Sequence, residues 1–130
     1  MDYKRSLENL ETALLELRYE NKKIPIIVEG DKDIHALHKL DIDGTIIRVN
    51  DGTSLIVFCD KIAQEYKDII ILTDWDRKGG YLCRTIRKNL EGRVKCNTKY
   101  RKLFAKNAMI RTLEGLPSWL VTMRKKLDYI

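Results

Sequence analysis

The sequence predicts an α/β protein with a Rossmann-like open sheet of about four mainly parallel strands, flanked by helices and preceded by an N-terminal helix. Short apolar runs rich in β-branched residues alternate along the chain with segments of helical periodicity, a pattern typical of strands joined by right-handed helical crossovers. Acidic residues directly follow the two strongest of these runs, at 24–28 and 69–73. With 130 residues, the chain is long enough to bury one core.

The individual elements are predicted from periodicity and turn residues. Leucines at positions 7, 10, 14 and 17 form an apolar stripe and predict a helix over residues 3–20. Asp31 is the expected cap of the second helix, and residues 74–80 are expected to form a loop. The predicted strands are 24–28, 45–49, 69–73 and 93–97, with a short extra strand at 108–112. The other predicted helices are 31–40, 54–66, 81–90, 99–106 and one that begins at Pro117.

We expect a single domain, in which residues 1–22 are a helical extension, 23–98 the core and 99–130 a basic helical segment. The first 21 residues are rich in charge and lack the apolar centre of a signal peptide. No run of about 18 apolar residues occurs, so the sequence predicts a cytoplasmic protein without membrane contact. The stripe of the first helix is expected to pack on the core, although it also suits a protein partner or self-association.

The net charge of +6 is divided unevenly along the chain. Residues 1–76 carry 10 Lys and Arg against 16 Asp and Glu, a net charge of −6, whereas residues 77–130 carry 15 against 3, a net charge of +12. Acidic clusters hold cations and basic surfaces attract phosphates, so this division favours an acidic site beside a surface that binds nucleic acid. The three cysteines form no CxxC pair, which argues against structural zinc and favours free thiols in a reducing compartment.

Carboxylates are concentrated after the first and third predicted strands. Glu29 follows the first strand, and Asp74 and Asp76 follow the third. If the strands lie in the order 2-1-3-4, the first and third are neighbours, and their carboxyl ends meet at the crevice where open parallel sheets bind ligands. Carboxylates gathered there repel one another, and a divalent cation offsets the repulsion. Because Mg2+ prefers carboxylate oxygens, waters and phosphates, we expect these side chains to hold Mg2+, with Mn2+ as an alternative.

Other interpretations of the aspartate pair, and a role for two histidines, stay open. An Asp-x-Asp pair after a strand also occurs in ordinary capped, solvated loops. A phosphatase of the haloacid dehalogenase type uses such a pair too, but it places the pair after its first strand and needs acidic residues downstream, where this chain is basic. His35 and His38 lie three residues apart, which suits a metal site only if a third ligand joins them.

Taken together, the two acidic segments resemble the signature motifs of Toprim domains, which topoisomerases, bacterial-type primases and several nucleases share. The first motif is Val28-Glu29-Gly30, followed three residues later by Asp33, and the second runs from Thr73 to Gly80. The resemblance extends over residues 24–97 and is greatest to small stand-alone Toprim proteins. It implies a Toprim-like fold, a proton-transfer role for Glu29, and Mg2+ binding by Asp74 and Asp76.

Departures from the larger members of that family narrow the expected activity. A topoisomerase takes its nucleophilic tyrosine from another domain, and a primase carries nucleotide-binding and zinc-binding parts, neither of which this sequence contains. The resemblance then implies a Mg2+-dependent enzyme that acts on nucleic-acid phosphodiesters, by nuclease-like hydrolysis. The alternative is a module that binds RNA or DNA without turnover, within a larger complex.

Basic side chains and glycines complete the predicted site. Arg77 and Lys78 adjoin the acidic pair and are expected to neutralise phosphates. The segment 99–106 interleaves aromatic with cationic residues, a pattern suited to nucleic-acid backbones and bases, but equally to an amphipathic helix. Its expected phosphate ligands are Lys99, Arg101, Lys102 and Lys106. Glycines permit tight backbone paths and close approach of a phosphate, and those expected to do so here are Gly30, Gly79 and Gly80.

Overall fold

The structure, a computed structural model, describes residues 2–49 and 52–127. Helices and strands alternate in the order that the sequence predicts. The strands are β1 (Ile26–Val28), β2 (Ile46–Arg48), β3 (Asp68–Ile71) and β4 (Lys95–Asn97). The helices are α1 (Tyr3–Glu20), α2 (Asp31–Lys39), α3 (Leu55–Glu65), α4 (Arg77–Leu90), α5 (Lys99–Asn107) and α6 (Leu116–Lys126).

The four strands form one sheet in the order β2-β1-β3-β4, and every neighbouring pair is parallel. Ile26 of β1 is paired with Ile46 on one side and with Ile70 on the other. All of β1 and the last three residues of β3 are buried, as expected for central strands of a parallel sheet. The α/β prediction and the predicted strand order are confirmed, and the carboxyl ends of β1 and β3 lie side by side.

Helices cover both faces of the sheet. On one face, α1, α2, α5 and α6 pack over Val28 and Leu72. On the other face, α3 and α4 pack over Ile27 and Ile71. The chain therefore leaves β1 and β3 toward opposite faces, as it does at the point where open parallel sheets commonly bind ligands.

The leucine stripe of α1 is buried in the larger of the two cores, as predicted. Leu15 and Tyr19, on the outer side of α1, are exposed. No helix within residues 2–49 and 52–127 is long and apolar enough to cross a membrane. The division of the chain into an extension, a core and a basic segment stays a prediction.

The prediction for residues 74–80 is wrong in part, because α4 begins at Arg77 rather than at Tyr81. The side chain of Asp76 caps the helix and supplies the partner that the first free amides need. The loop before α4 is correspondingly shorter than expected. The carboxylate of Asp76 is thus fixed against the helix rather than carried on a long loop.

Two further local predictions are wrong. Residues 108–112 form no strand, because the carbonyl groups of Ile110 and Arg111 accept hydrogen bonds from Trp75, in the turn after β3, instead of from a sheet. Asp31 does not cap α2 but is its first helical residue, and Gly30 occupies the cap position. The Asp33 carboxylate accepts a 3.1 Å hydrogen bond from the Gly30 amide, which closes the start of this helix.

Candidate active site

Glu29 and Asp74 are brought into contact by the two central strands. Glu29 directly follows β1, and Asp74 lies just beyond the end of β3. The Glu29 Oε2 atom accepts a 2.8 Å hydrogen bond from the Asp74 backbone amide. Two residues that are 45 positions apart in the chain therefore meet at the carboxyl ends of β1 and β3, where the strand order predicts them.

The carboxyl group of Asp74 lies in crowded, half-buried surroundings. Its Oδ1 atom accepts a 2.8 Å hydrogen bond from the Leu113 amide. Burial raises the pKa of this group, the Leu113 hydrogen bond lowers it, and the charges of Glu29 and Asp76 raise it again, to about 6. A hydrogen bond with the Glu29 carboxyl group adds to the rise in the pKa. Negative charge is therefore concentrated at this point of the crevice.

Asp76 belongs both to this acidic group and to α4. As the cap residue, it accepts a 2.6 Å hydrogen bond at Oδ1 from the Gly79 amide. Its charge contributes to the raised pKa of Asp74. The sequence suggested a metal ligand at this position, and the structure adds that the helix start orients its carboxylate.

Close backbone packing holds the turn between β3 and α4. The buried Thr73 hydroxyl donates a 2.8 Å hydrogen bond to the Gly79 carbonyl. A Cβ atom at Gly79 would lie 1.9 Å from the Asp74 carbonyl oxygen, so this position requires glycine. At Gly30, by contrast, nothing lies within 4 Å of a Cβ atom and the backbone is ordinarily extended. Packing within the protein therefore does not require glycine at position 30, and close approach of a phosphate there stays a prediction.

Arg101, at the start of α5, clamps the turn between β3 and α4 (residues 72–76), which we call the acidic turn. Its Nε atom donates to the carbonyl oxygens of Thr73 and Asp74, both at 3.2 Å, and its Nη2 atom donates to the Asp74 carbonyl at 2.8 Å. A Cβ atom at Gly80 would lie 3.3 Å from that Nη2 atom, so Gly80 leaves room for the clamp. Phosphate binding by Arg101 stays a prediction, and the structure gives the residue a second role that its charge alone did not reveal.

The segment after α5, at residues 110–113, covers the acidic turn. This cover was not predicted from the sequence. The Trp75 backbone amide donates to the Arg111 carbonyl at 3.0 Å, and the Trp75 indole nitrogen donates to the Ile110 carbonyl. The Trp75 ring also meets Phe104 edge to face, with 5.7 Å between centroids. The one signal that could have revealed this cover is the indole itself, since a half-buried Trp needs an acceptor for its N–H group.

The other predicted phosphate ligands are exposed, on the first turn of α4 (Arg77 and Lys78) and along α5 (Lys99, Lys102 and Lys106). The Lys99 ammonium is paired with Glu16 at 3.0 Å. The other four side chains make no hydrogen bond or ion pair within the described part of the chain. Their charges are therefore available, and their role toward phosphates stays a prediction.

The acidic side chains at this site are suitable ligands for Mg2+, although they do not surround an ion by themselves. Glu29, Asp74 and Asp76 offer hard carboxylate oxygens, and their mutual repulsion favours a divalent cation. Among residues 2–49 and 52–127, no three Asp, Glu, His or Cys side chains, His35 and His38 included, are gathered closely enough to hold a metal ion by themselves. Mg2+ commonly takes one or two carboxylates and completes its shell with water and substrate phosphates. The residues present thus fit Mg2+ that binds together with a phosphate.

Comparison with known proteins gives relatives that extend over most of the chain. A UPF0292 protein of Thermoplasma volcanium is 41% identical over 102 residues, which cover 78% of this chain and 86% of that protein. A UPF0292 protein of Methanocaldococcus jannaschii is 35% identical over 116 residues, which cover 87% of this chain and 91% of that protein. Neither name states an activity.

The fold and the family are also matched. The solved structure of a protein from Aquifex aeolicus superposes with a TM-score of 0.69 at 22% identity, covering 80% of this chain and 94% of that one, and it bears on the fold alone. Residues 24–107 match the Toprim domain. That range is more than half of the chain and includes Glu29, Asp74 and Asp76. This chain therefore belongs to the Toprim domain family.

Proposed function

We propose that this protein is a Mg2+-dependent nuclease that hydrolyses nucleic-acid phosphodiesters at the crevice between β1 and β3. The observation that carries the proposal is the hydrogen bond from the Asp74 amide to the Glu29 carboxylate, which joins the two acidic residues that follow the central strands. Membership of the Toprim family supports a nucleic acid as the substrate. The net charge of +12 on residues 77–130 supports the same class of substrate.

Asp74 and Asp76 would hold the ion, with Glu29 beside them. When bound, Mg2+ supplies positive charge against the negative charge that develops on the phosphate. The protein orients both aspartates in advance, because the Leu113 amide bonds to Asp74 and the Gly79 amide bonds to Asp76. Such fixed donors avoid reorganisation during the reaction.

Glu29 is suited to moving the proton, because it lies on a different loop from the aspartate pair. Its carboxylate accepts a proton from the attacking water while the water oxygen bonds to phosphorus. The bond from phosphorus to one sugar oxygen breaks, and the departing oxygen takes a proton from solvent. The Asp74 amide keeps the Glu29 carboxylate in place through the 2.8 Å hydrogen bond.

The test is incubation with labelled single- and double-stranded RNA and DNA, in the presence of Mg2+, Mn2+ or EDTA. We expect cleavage that requires the metal ion. Glu29→Gln should lower turnover by at least about 100-fold, as expected for loss of a proton-transfer group, with nucleic-acid binding largely kept. Asp74→Asn combined with Asp76→Asn should lose Mg2+ affinity and activity together.

Asp68→Asn is the matched control for these variants. Asp68 is an exposed carboxylate at the amino end of β3, whereas Asp74 lies beyond the carboxyl end of the same strand. An equal loss in this variant would reveal a general effect of charge or folding. Near wild-type turnover by Glu29→Gln would remove the proton-transfer role. Binding of nucleic acid without any cleavage by the wild type would favour the alternative, a binding module.

A further inference from the structure

A stripe of basic and aromatic side chains runs along the outer face of α4. Its members, which we call the α4 stripe, are Arg77, Tyr81, Arg84 and Lys88. Spacings of four, three and four residues place them on one face of the helix. All four are exposed, and Tyr81 is 67% exposed. The opposite face of α4 is buried against the sheet.

The cations of the α4 stripe are unpaired. The side chains of Arg77, Arg84 and Lys88 make no hydrogen bond or ion pair with any part of the chain that the structure describes. On α5, Lys102 and Lys106 are unpaired within the described residues as well, whereas Lys99 is paired with Glu16 and Arg101 is bonded to backbone carbonyls. Unpaired cations bind a polyanion more readily, because no internal ion pair has to break first.

The α4 stripe begins at the acidic turn. Arg77 is the first residue of α4, directly after the cap residue Asp76. Side chains of a helix lean toward its N-terminus, and the Arg84 guanidinium does so. A Cβ atom at Gly80 would lie 3.4 Å from Arg84 Nη1 and 3.3 Å from Arg101 Nη2, so the two guanidinium groups approach the same point. A strand of nucleic acid that lies on the α4 stripe would therefore reach Asp74, because Arg101 binds the Asp74 carbonyl.

We propose that the α4 stripe is the track for an unpaired strand of nucleic acid, and that the Tyr81 ring stacks on one of its bases. This inference rests on the proposed function and names its substrate, single-stranded nucleic acid or an unpaired end. From Arg77 to Lys88 the stripe is about 16 Å long, which suits a few nucleotides. A base within a duplex keeps its faces stacked on its neighbours, whereas a base in a single strand offers a free face to an aromatic ring.

The experiment measures binding by fluorescence anisotropy, with labelled single strands of RNA and of DNA and with the matching duplexes, in EDTA so that cleavage does not intervene. The wild type should prefer single strands. Tyr81→Ala should weaken single-strand binding by about tenfold, as for the loss of one stacking contact, and should change duplex binding little. Tyr81→Phe, which keeps the ring, should bind as the wild type does. Arg84→Ala with Lys88→Ala should lower the slope of log affinity against log salt concentration by about two, one for each phosphate contact that is lost.

Two controls separate the track from general surface effects. Tyr19→Ala removes another tyrosine, 73% exposed on α1, and Lys125→Ala with Lys126→Ala removes two exposed charges from α6. Neither should change the preference for single strands over duplexes. If Tyr81→Ala binds single strands as tightly as the wild type, or if duplexes bind better, the inference is overturned while the proposed nuclease can stand. If the wild type binds no nucleic acid in any arm, the track is overturned, and the cleavage assay with Mg2+ decides separately whether the proposed nuclease stands.

Discussion

The backbone amide of Leu113 donates a 2.8 Å hydrogen bond to the Oδ1 atom of Asp74, although the two residues are 39 positions apart. This bond favours the charged carboxylate, and it opposes the burial and neighbouring charges that raise the pKa of Asp74. A segment outside both acidic motifs therefore stabilises the group most central to the site.

Asp74→Asn should remove a pH-dependent penalty on folding. The pKa of Asp74 is about 6 in the folded protein against an ordinary value of 3.8, so the folded state holds the proton more tightly than the unfolded chain does. Without metal, the contribution of this group to the free energy of unfolding should fall as the pH rises from about 4 to about 6. The asparagine keeps an oxygen for the Leu113 amide but carries no charge. Urea denaturation in EDTA at a series of pH values should show a smaller fall for the variant.

Addition of Mg2+ provides the complementary measurement for Asp74→Asn. At a pH above about 6, Mg2+ should stabilise the wild type, because it binds the folded state preferentially, and should stabilise the variant much less. If the two proteins had the same pH profile in EDTA and the same response to Mg2+, Asp74 would be neither the titrating group nor a ligand.

Gly79→Ala should destabilise the protein. The added Cβ atom would lie 1.9 Å from the Asp74 carbonyl oxygen, so the turn after β3 would have to shift. The expected loss in the free energy of unfolding is about 1–3 kcal/mol, measured by chemical denaturation. Gly30→Ala is the matched control, because nothing lies within 4 Å of its Cβ position. Equal losses at the two glycines would contradict the packing described for the turn.

Arg101→Ala should loosen the acidic turn. It removes the hydrogen bonds to the carbonyl oxygens of Thr73 and Asp74, at a cost of about 1–3 kcal/mol in the free energy of unfolding. Arg101→Lys should recover only part of this loss, because an ammonium group lacks the planar fork of a guanidinium. Lys102→Ala, at an exposed neighbour without such bonds, should leave the stability unchanged. Full recovery by Arg101→Lys would mean that charge, rather than the clamp, is what matters.

Affinity for nucleic acid should fall steeply as salt is added, because cations on α4 and α5 displace counterions from phosphates. Lys102→Ala with Lys106→Ala should weaken binding uniformly across sequences and should lower the salt slope by about two. Lys99 and Arg101 are left intact in this variant, since the first is paired with Glu16 and the second holds the acidic turn. An affinity that does not change with salt would show that these lysines are only a solvated surface.

The sheet and the meeting of Glu29 with Asp74 could be predicted because both depend on local signals. The run 24–28 is continuously apolar and β-branched, which marks a buried parallel strand, and an acidic residue stands at its end. The order 2-1-3-4 is one of the common orders of open parallel sheets, and from the sequence it could be stated only as a condition. It is this order, rather than any single motif, that brings the two carboxylates together.

The contacts that complete the site could not be predicted, because backbone groups make them. The Leu113 amide and the Ile110 carbonyl are groups that almost every residue possesses, so no residue type marks the segment that covers Trp75. The guanidinium of Arg101 suits phosphates and carbonyl oxygens alike, and only the placement of α5 shows that it binds the turn. The sequence predicts a short strand at 108–112, but this segment has no strand pairing, and Ala108 and Ile110 pack in the larger core instead.

The position of Leu113 also determines when the site matures during synthesis. A nascent chain folds from its N-terminus as it leaves the ribosome, and residues 29 and 74 emerge long before residue 113. A partial chain that stops short of Leu113 contains both acidic motifs, but the Asp74 carboxylate lacks its amide donor. The acidic turn therefore reaches its final geometry only after residue 113 has left the ribosome.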